Sequence, residues 1–434
     1  MHSRRTFLRT AAGGAAAATG APALAALAEA RSWFTSELAS TRPASAAMGS
    51  GAPSLPTPDD YLLDPEIQYL NHGSIGTIPR AVHAAHRRYL EICESNPWLY
   101  MWDEPWIEPL EDVRRRAADL LGCGVHEMAL THNTTEGFNL LAHGLELQPG
   151  DEVLYSSLNH PGASNPWTHM APIRGFRVRR FDFPVQDLPG LSSEEVVELH
   201  LREITDRTRV LVFPHVDNLV GLRHPMEALA RGAKARGVEV VAVDGAQSVA
   251  MIPVELASSG VDVYAASPHK WVQSPKGLGL LYLREEIQDR VHPMWVSSGQ
   301  PGAAGTIRRF EDYGTRNRPE VMALGDALAF QDTIGDEART AHHRNVWAGV
   351  RDRVEATAGL LWRSPRRWEL STALYNVEVE GVPSPELSSR LWEEERIVFR
   401  PIRIGGIDGA RLSPNLQTPP EALEAFFRAV DQRW

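Results

Sequence analysis

Short apolar runs recur through the middle of the chain, and polar or helix-forming segments separate them. Most are rich in Val and Leu, and none alternates strictly with polar residues, which predicts strands buried on both faces of a sheet. The runs are Glu152–Tyr155, Val210–Phe213, Val238–Val243, Val261–Ala265 and Gly279–Leu283.

Two segments between these runs carry helix signals. Pro225–Arg236 has apolar residues at helical spacing and is followed by Gly237, a good C-cap. Glu194–Glu203 is a second helix candidate. Strands that alternate with helices predict an α/β fold with a mostly parallel central sheet.

Polar side chains follow the first four runs at the end where each strand stops. They are Asn159 and His160, then His215, Asp217 and Asn218, then Asp244 and Gln247, and finally Ser267, His269 and Lys270. Ligands of parallel sheets bind beyond the carboxyl ends of the strands. The sequence therefore predicts a binding site at this edge of the sheet.

A helix-start signal lies upstream of these strands. Asn133, Thr134 and Thr135 precede the apolar residues Phe138 and Leu140, and they can cap a helix whose free N–H groups suit a phosphate. A plain cap without a ligand is the alternative. The sequence contains neither a Gly-rich dinucleotide fingerprint after a strand nor a P-loop, which argues against both of those readings.

Lys270 and Asp244 together suggest a particular chemistry. A lysine placed directly after an apolar strand can have a lowered pKa and attack an aldehyde. An aspartate at the neighbouring strand end can pair with a pyridinium nitrogen, which lets the ring accept electrons. Donors for a phosphate and a partner for the ring face are available in Thr134, Thr135, Ser267, His269 and His160. This set predicts a pyridoxal 5′-phosphate (PLP) site.

Four segments resemble, in order, the motifs of the class V aminotransferase family, a fold-type-I group of PLP enzymes that includes cysteine desulfurases, isopenicillin N epimerase and kynureninase. They are Asn133–Leu140, His215–Gly221, Val243–Ser248 and Ser267–Trp271. The likeness runs from about Tyr69 to Gln417, and Leu70–Gly76 is most similar to the epimerase-type branch. It implies an α/β fold-type-I transferase with a smaller α+β C-terminal domain.

The resemblance also implies roles for individual residues of the cofactor site. Lys270 would form a Schiff base with PLP and move the α-proton of the substrate, Asp244 would bind the pyridine nitrogen, and His160 would stack on the ring. Gln247 and Asn218 would lie near the ring hydroxyl. The phosphate would be held by Thr134, Thr135, Ser267 and His269.

On the substrate side, the resemblance implies that Arg411 binds the α-carboxylate, with Asn71 nearby, because a guanidinium can hold a carboxylate in a bidentate way. Thr315, in Gly314–Asn317, would reach the phosphate of a neighbouring subunit, so a homodimer with a shared active site is expected. Three further arginines are candidates for recognising the substrate side chain, with a plain surface position as the alternative: Arg316, Arg400 and Arg403.

The reaction type stays open. Glu394–Ala410 contains no cysteine, which disfavours a persulfide-forming desulfurase. We expect an enzyme that acts on an amino acid or amino-acid-derived metabolite by transamination, epimerisation or lyase chemistry. One alternative is a periplasmic enzyme that modifies an amino-acid side chain of a pyoverdine-type peptide siderophore, and another is a non-catalytic binding protein with the same fold.

The N-terminal residues predict where the protein is located. Arg4 and Arg5, an Ala-rich stretch and small residues near position 28 are typical of a twin-arginine signal, which predicts export of the folded protein to the periplasm by the twin-arginine translocase.

The predicted divisions of the chain are a signal at 1–30, a linker at 31–58, an N-terminal segment at 59–84, a large domain at 85–312 and a small domain at 313–434. The net charge of -11 argues against a nucleic-acid partner, and no metal-ligand spacing is present.

Overall fold

A computed structural model of the 434-residue chain describes residues 55–102 and 104–433. The predicted signal peptide, residues 1–30, and all but the last four residues of the predicted linker lie outside the described residues. Within them, no helix has the length and apolar character needed to cross a membrane.

The described residues form strands and helices in alternation. The strands are β1 (Gln68–Tyr69), β2 (Met128–Thr131), β3 (Glu152–Ser156), β4 (Arg177–Phe181), β5 (Thr208–Pro214), β6 (Val240–Asp244), β7 (Val263–Ala266), β8 (Gly279–Leu283), β9 (Leu360–Trp362), β10 (Tyr375–Val379), β11 (Ile397–Val398), β12 (Arg400–Ile404) and β13 (Ile407–Leu412). The α-helices are α1 (Arg80–Ser95), α2 (Pro97–Trp102), α3 (Ile107–Leu121), α4 (Thr134–Gly144), α5 (Pro161–Arg174), α6 (Ser193–Leu201), α7 (Met226–Ala235), α8 (Gln300–Ala303), α9 (Arg318–Ile334), α10 (Asp336–Ala356), α11 (Ser384–Glu395) and α12 (Pro420–Arg433).

A seven-stranded sheet forms the centre of the fold, with the strand order β2-β8-β7-β6-β5-β3-β4. The five neighbouring strands β4, β3, β5, β6 and β7 pair in parallel. Strand β8 is antiparallel to both of its neighbours, β7 and β2. The predicted mostly parallel sheet is therefore confirmed. Because the parallel strands end at one edge, the polar residues that follow them lie at the same edge.

Both faces of this sheet are buried, as the apolar runs predict. In β6, Val241 and Val243 pack into one apolar cluster while Val240 and Ala242 pack into another, because successive side chains of a strand point to opposite faces. The first cluster also takes residues from α3, α6, α7 and α9, and the second takes residues from α4 and α5. Helices thus cover the sheet on both sides.

The predicted starts of two strands, at Val238 and Val261, are each two residues early, and at Val238 the reason is local. The N–H of Val238 donates to the carbonyl of Ala233 at 3.1 Å, so this residue closes helix α7 and the strand begins at Val240. Gly237 has a φ of +85°, a left-handed conformation that suits glycine at the end of a helix.

A second, antiparallel sheet near the C-terminus has the order β12-β13-β10-β9. It confirms the expected α+β character of this part of the chain. Strand β1 pairs in parallel with β11, and Asn71 forms an isolated bridge with Ser413. These contacts bring the N-terminal segment Leu70–Thr77 beside β13, at the carboxyl edge of the central sheet. The boundary predicted at residue 312 stays a prediction.

Candidate active site

Lys270 is the lysine whose surroundings suit chemistry. The chain has three lysines. Lys234 forms an ion pair with Asp262 and donates to the carbonyl of Glu239, and Lys276 is exposed. Lys270 lies in the turn after β7, where burial lowers its pKa to about 8, against the opposing effect of Asp244. An appreciable fraction of this amine is neutral at physiological pH, as a nucleophile or base requires.

Asp244 ends β6, the strand next to β7, and its carboxylate is buried. Its Oδ1 accepts a hydrogen bond from the N–H of Ala246 at 2.9 Å. Burial raises the pKa of this carboxyl, while the nearby Lys270 and His160 oppose the shift. A buried carboxylate in this position suits a cationic partner such as a protonated ring nitrogen.

A polar group supports Asp244 from behind. The N–H of His215 donates to the main-chain carbonyl of Asp244 at 2.9 Å, and its Nδ1 lies 3.0 Å from the hydroxyl of Tyr264. That hydroxyl also contacts Ser248. The His215 ring is therefore part of the support for the strand end and does not face a ligand.

His160 stands at the N-terminus of α5. Its Nδ1 accepts the N–H of Gly162 at 3.0 Å, which fixes the ring, and the residue is exposed. Partial burial lowers the pKa of His160, as do Lys270 and the arginines at 400 and 411, while Asp244 raises it. The ring therefore lies within electrostatic reach of both Asp244 and Lys270. It is available to pack against a flat ligand above them.

The N-terminus of α4 presents hydroxyl groups beside Ser267. Asn133 caps this helix, as predicted, by accepting the N–H of Glu136 at 2.9 Å. The Ser267 hydroxyl lies 3.0 Å from the N–H of Thr134 and 2.8 Å from its Oγ1. Thr135 is exposed and lies next to Gly162, so α4 and α5 present their N-termini together. This arrangement suits an anion.

His269 is the second imidazole at this edge. Its Nδ1 is buried without a hydrogen-bond partner, and burial lowers its pKa to about 4. The ring is therefore neutral at pH 7 and can offer a hydrogen bond to a ligand.

Gln247 and Asn218 both have hydrogen-bond partners within the chain at this edge. The amide of Gln247 donates to the carbonyl of Gly73 at 2.6 Å and accepts the indole N–H of Trp271 at 2.9 Å. The carbonyl of Asn218 accepts from Arg411 at 3.0 Å. Both residues lie at the site, and in the structure these groups connect its parts to one another.

Arg411 is buried in β13 and points at the same edge. Its Nη2 donates to Oδ1 of Asn71 and to the hydroxyl of Ser74, both at 2.6 Å. Burial lowers the pKa of Arg411 to about 10, which still leaves it charged at pH 7. Its described partners are neutral, and its Nε has none. A carboxylate would supply the missing negative charge.

The segment Leu70–Thr77 joins the two sides of the site. The N–H of Gly73 donates to the Ser413 hydroxyl at 3.0 Å, and the N–H of Gly76 donates to the carbonyl of His269 at 3.1 Å. A Cβ at Gly76 would overlap the carbonyl oxygen of Lys270. The sequence reading missed Ser74 and Gly76, because only their contacts with distant residues reveal them.

Asp217, one of the polar residues expected at the site, has a structural role. Its carboxylate accepts the N–H groups of Leu219, Val220 and Leu222 at 2.7, 2.8 and 2.5 Å. These bonds fold the turn that positions the Asn218 carbonyl beneath Arg411. Burial raises the pKa of Asp217 to about 6, against the effect of those three donors.

The remaining predicted arginines differ in whether their side chains have partners within the chain. Arg316 pairs with Glu311 at 3.1 Å and donates to the carbonyl of Leu130, and Arg403 pairs with Asp408 at 3.0 Å. Both therefore have structural partners. Arg400 is exposed beside Arg411, and Thr315 is exposed as well.

The two cysteines are free thiols: Cys93 is buried and Cys123 is partly buried. Desolvation by burial is the main cause that raises the pKa of both thiols, and nearby carboxylates raise it further. Neither thiol therefore has the character of a reactive thiolate. Among the described residues, no group of three or more His, Cys, Asp or Glu side chains is arranged to hold a metal ion.

Comparison with known proteins identifies the family. The model of the class V aminotransferases matches residues 68–405. This chain belongs to the class V aminotransferase family. Its relatives include the isopenicillin N epimerase of Amycolatopsis lactamdurans, 32% identical over 77% of this chain and 87% of that protein. The enzyme of the same name from Streptomyces clavuligerus is 29% identical over 85% and 96%.

The family member also has the fold of solved PLP enzymes. The cysteine desulfurase CsdA of Escherichia coli superposes with a TM-score of 0.74 at 23% identity, over 87% of this chain and 98% of that one. A C-DES variant with glycine covalently linked to its PLP cofactor also gives 0.74, at 21% identity, over 87% and 99%. The expected fold-type-I architecture is confirmed.

The cofactor of the family, pyridoxal 5′-phosphate, fits the residues of this site. Lys270 is a lysine with a lowered pKa, and Asp244 is a buried acid on the adjacent strand. The hydroxyls of Thr134 and Ser267 meet at a helix N-terminus, near the unpartnered Nδ1 of His269. These groups match an aldehyde, a ring nitrogen and a phosphate, respectively. PLP is therefore the cofactor of this protein.

Proposed function

We propose that this protein is a PLP-dependent enzyme that changes a bond at the α-carbon of an amino-acid substrate with a free carboxylate. The observation that carries the proposal is the position of Arg411. Its guanidinium is buried among neutral partners at the edge where Asp244 ends β6 and Lys270 lies in the turn after β7. When bound, the cofactor supplies an electron-accepting ring that stabilises negative charge at the α-carbon.

The residues of the chain divide the remaining work. Arg411 binds the carboxylate and orients the substrate, with Asn71 and Ser74 fixing the guanidinium. Lys270, with a pKa of about 8, accepts and returns a proton near neutral pH. Asp244 keeps the ring nitrogen protonated through its negative charge. His160 packs on the open face and restricts water there.

Epimerisation or lyase chemistry is the reaction type that we favour. The epimerases among the relatives align over most of this chain. Relatives named cysteine desulfurases are also similar, for example that of Mycobacterium leprae at 27% identity. A persulfide route needs a reactive thiol, and Glu394–Ala410 has no cysteine, while Cys93 and Cys123 have raised pKa values.

Hydrogen exchange at the α-carbon tests this function directly. The PLP-loaded protein is incubated in D2O with L- and D-amino acids, and loss of the α-proton signal is followed by NMR together with the visible absorbance of the cofactor. We expect exchange and an absorbance change with at least one amino acid. If no amino acid gives either signal, the proposal fails, and a bound cofactor with no response would favour the non-catalytic binding protein.

We also propose that the protein is a homodimer, with Thr315 near the neighbouring subunit's phosphate site. The exposure of Thr315 supports this arrangement, as do the exposed apolar side chains of Trp98 and Trp102. Light scattering after size-exclusion chromatography should give twice the 48.0 kDa chain mass, less any removed leader. A monomeric, fully PLP-loaded and active protein would contradict the proposal.

Export by the twin-arginine pathway is our proposal for location, supported by the pair Arg4 and Arg5 in the sequence. Residues 1–58 fused to a reporter that folds before export should deliver it to the periplasm. Replacing both arginines by lysine should retain the reporter in the cytoplasm, because the receptor reads the pair itself. Equal delivery by the two fusions would overturn this proposal.

A further inference from the structure

Two arginines lie directly opposite each other at the entrance of the site. In the antiparallel pair of β12 and β13, Arg400 is the register partner of Arg411. Residues opposite each other in such a pair project to the same face of the sheet. Because Arg411 reaches Asn71, the side chain of Arg400 also lies on the face that borders the active site.

Arg400 has no counter-ion in the part of the chain that the structure describes. Its side chain is exposed, and that side chain forms neither a hydrogen bond nor an ion pair with any described residue. Arg403, three residues along the same strand, pairs with Asp408. Like charges opposite each other in a sheet are destabilising, so the pair of Arg400 and Arg411 costs stability unless anions occupy it.

Two buried carboxylates at this edge of the sheet are already committed. Asp217 accepts three main-chain N–H groups, and the proposed function assigns Asp244 to the cofactor nitrogen. The charge of Arg400 reaches into the site, because it lowers the pKa of both His160 and Arg411. The entrance is therefore locally cationic in a chain whose net charge is -11.

We propose that Arg400 is a second anion-binding position, and that the substrate is an α-amino acid or derivative with an additional carboxylate. Arg411 binds the α-carboxylate, and Arg400 binds the carboxylate farther along the substrate. A guanidinium suits this task because it forms charge-assisted, bidentate hydrogen bonds. The inference rests on the proposed function, which it makes more specific by naming the substrate class.

Matched acid and amide ligands test this assignment. The spectral dissociation constants of the PLP-loaded protein are measured for L-aspartate and L-asparagine, and for L-glutamate and L-glutamine. L-2-Aminoadipate extends the series to a longer spacer. A charge-assisted hydrogen bond at an open site predicts binding of at least one acid about tenfold tighter than its amide. The Arg400→Gln variant should abolish that preference and leave the affinity for the amides unchanged.

Arg403→Gln is the matched control, because Arg403 lies on the same strand with its own partner, Asp408. We expect this variant to keep the preference for the acid. Equal affinity of the wild-type protein for each acid and its amide would overturn the inference. An Arg400→Gln variant that loses affinity for acids and amides to the same extent would overturn it as well. Neither result would affect the proposed function, which α-proton exchange and the visible spectrum test separately.

Discussion

The cofactor wall and the substrate wall of the site are built in different ways. The cofactor wall consists of Thr134, His160, Asp244, Ser267 and Lys270, which follow strands of one buried sheet or begin the helices after them. The substrate wall consists of Asn71, Ser74, Asn218, Arg400 and Arg411, which come from three distant parts of the chain. Arg411 meets Asn71 across 340 residues.

This difference separates the chemistry of the site from its selectivity. The cofactor wall is positioned by strand pairing, since Asp244 ends β6 and Lys270 lies in the turn that follows the neighbouring strand β7. The substrate wall depends on side-chain contacts between segments, which can change without altering the sheet. We therefore expect substitutions in the first wall to act on cofactor binding or kcat, and those in the second to act on the KM for the substrate.

The largest effect should come from Lys270→Ala in the cofactor wall. Loss of the amine removes both the covalent attachment point of PLP and the proton-transfer group, so α-proton exchange should fall by at least about a thousandfold. The visible absorbance of the bound cofactor should change as well. Lys276→Ala is the control, since Lys276 is exposed and should leave both signals intact. Turnover retained by the Lys270→Ala variant would remove the basis of the proposed function.

Arg411→Gln should be the strongest change in the substrate wall. For substrates with a free α-carboxylate we expect KM to rise by about a hundredfold while kcat changes much less, because a charge-assisted contact is lost. Steady-state kinetics would measure the split. An unchanged KM would indicate that the true substrate lacks a free α-carboxylate near Arg411, as expected for some peptide substrates of the siderophore type.

The pH dependence of cofactor loading tests the electrostatics of the cofactor wall. Only the neutral amine of Lys270 attacks an aldehyde, so loading is slow below its pKa of about 8 and reaches a plateau above it. The rate should rise about tenfold between pH 7 and pH 9, when PLP is added to the apoprotein and followed by absorbance. An ordinary lysine would show no plateau in that range.

The Asp244→Asn variant tests the direction in which Asp244 shifts the pKa of Lys270. The negative charge of Asp244 raises the pKa of Lys270, so its removal should shift the midpoint of the loading curve to lower pH. The Oδ1 contact with the N–H of Ala246 is retained by the amide, which limits any structural change. A midpoint that moves to higher pH would show that the two groups do not interact as described.

The smallest effect is expected from Ser267→Ala. Its hydroxyl lies against Thr134 at the N-terminus of α4, so its loss should weaken PLP binding by about tenfold through one phosphate contact. Equilibrium dialysis of the cofactor would measure this change, with kcat at saturating PLP as the control. Ser259→Ala, at a buried serine whose hydroxyl bonds to Leu256, should leave PLP affinity unaltered.

The residues of the cofactor wall could be singled out from the sequence because each lies next to an apolar strand or a helix start. The placement of Asp244 and Lys270 at one edge of the sheet could be predicted from that position. Gly76 and Ser74 could not, because their importance arises from contacts with His269 and Arg411 in other segments. The difference between Arg400 and Arg403 depended on strand register, since a shift of one residue reverses the face of every side chain.

Gly76 limits how the enzyme can acquire new substrates. Its peptide N–H binds the carbonyl of His269, and any side chain at this position would collide with the backbone of Lys270. A bulkier residue there, chosen to reshape the substrate wall, would also displace the backbone that carries the Lys270 amine. Adaptive change is therefore less costly at the exposed positions of β12, so laboratory evolution of selectivity should accumulate substitutions around Arg400 and spare the glycine.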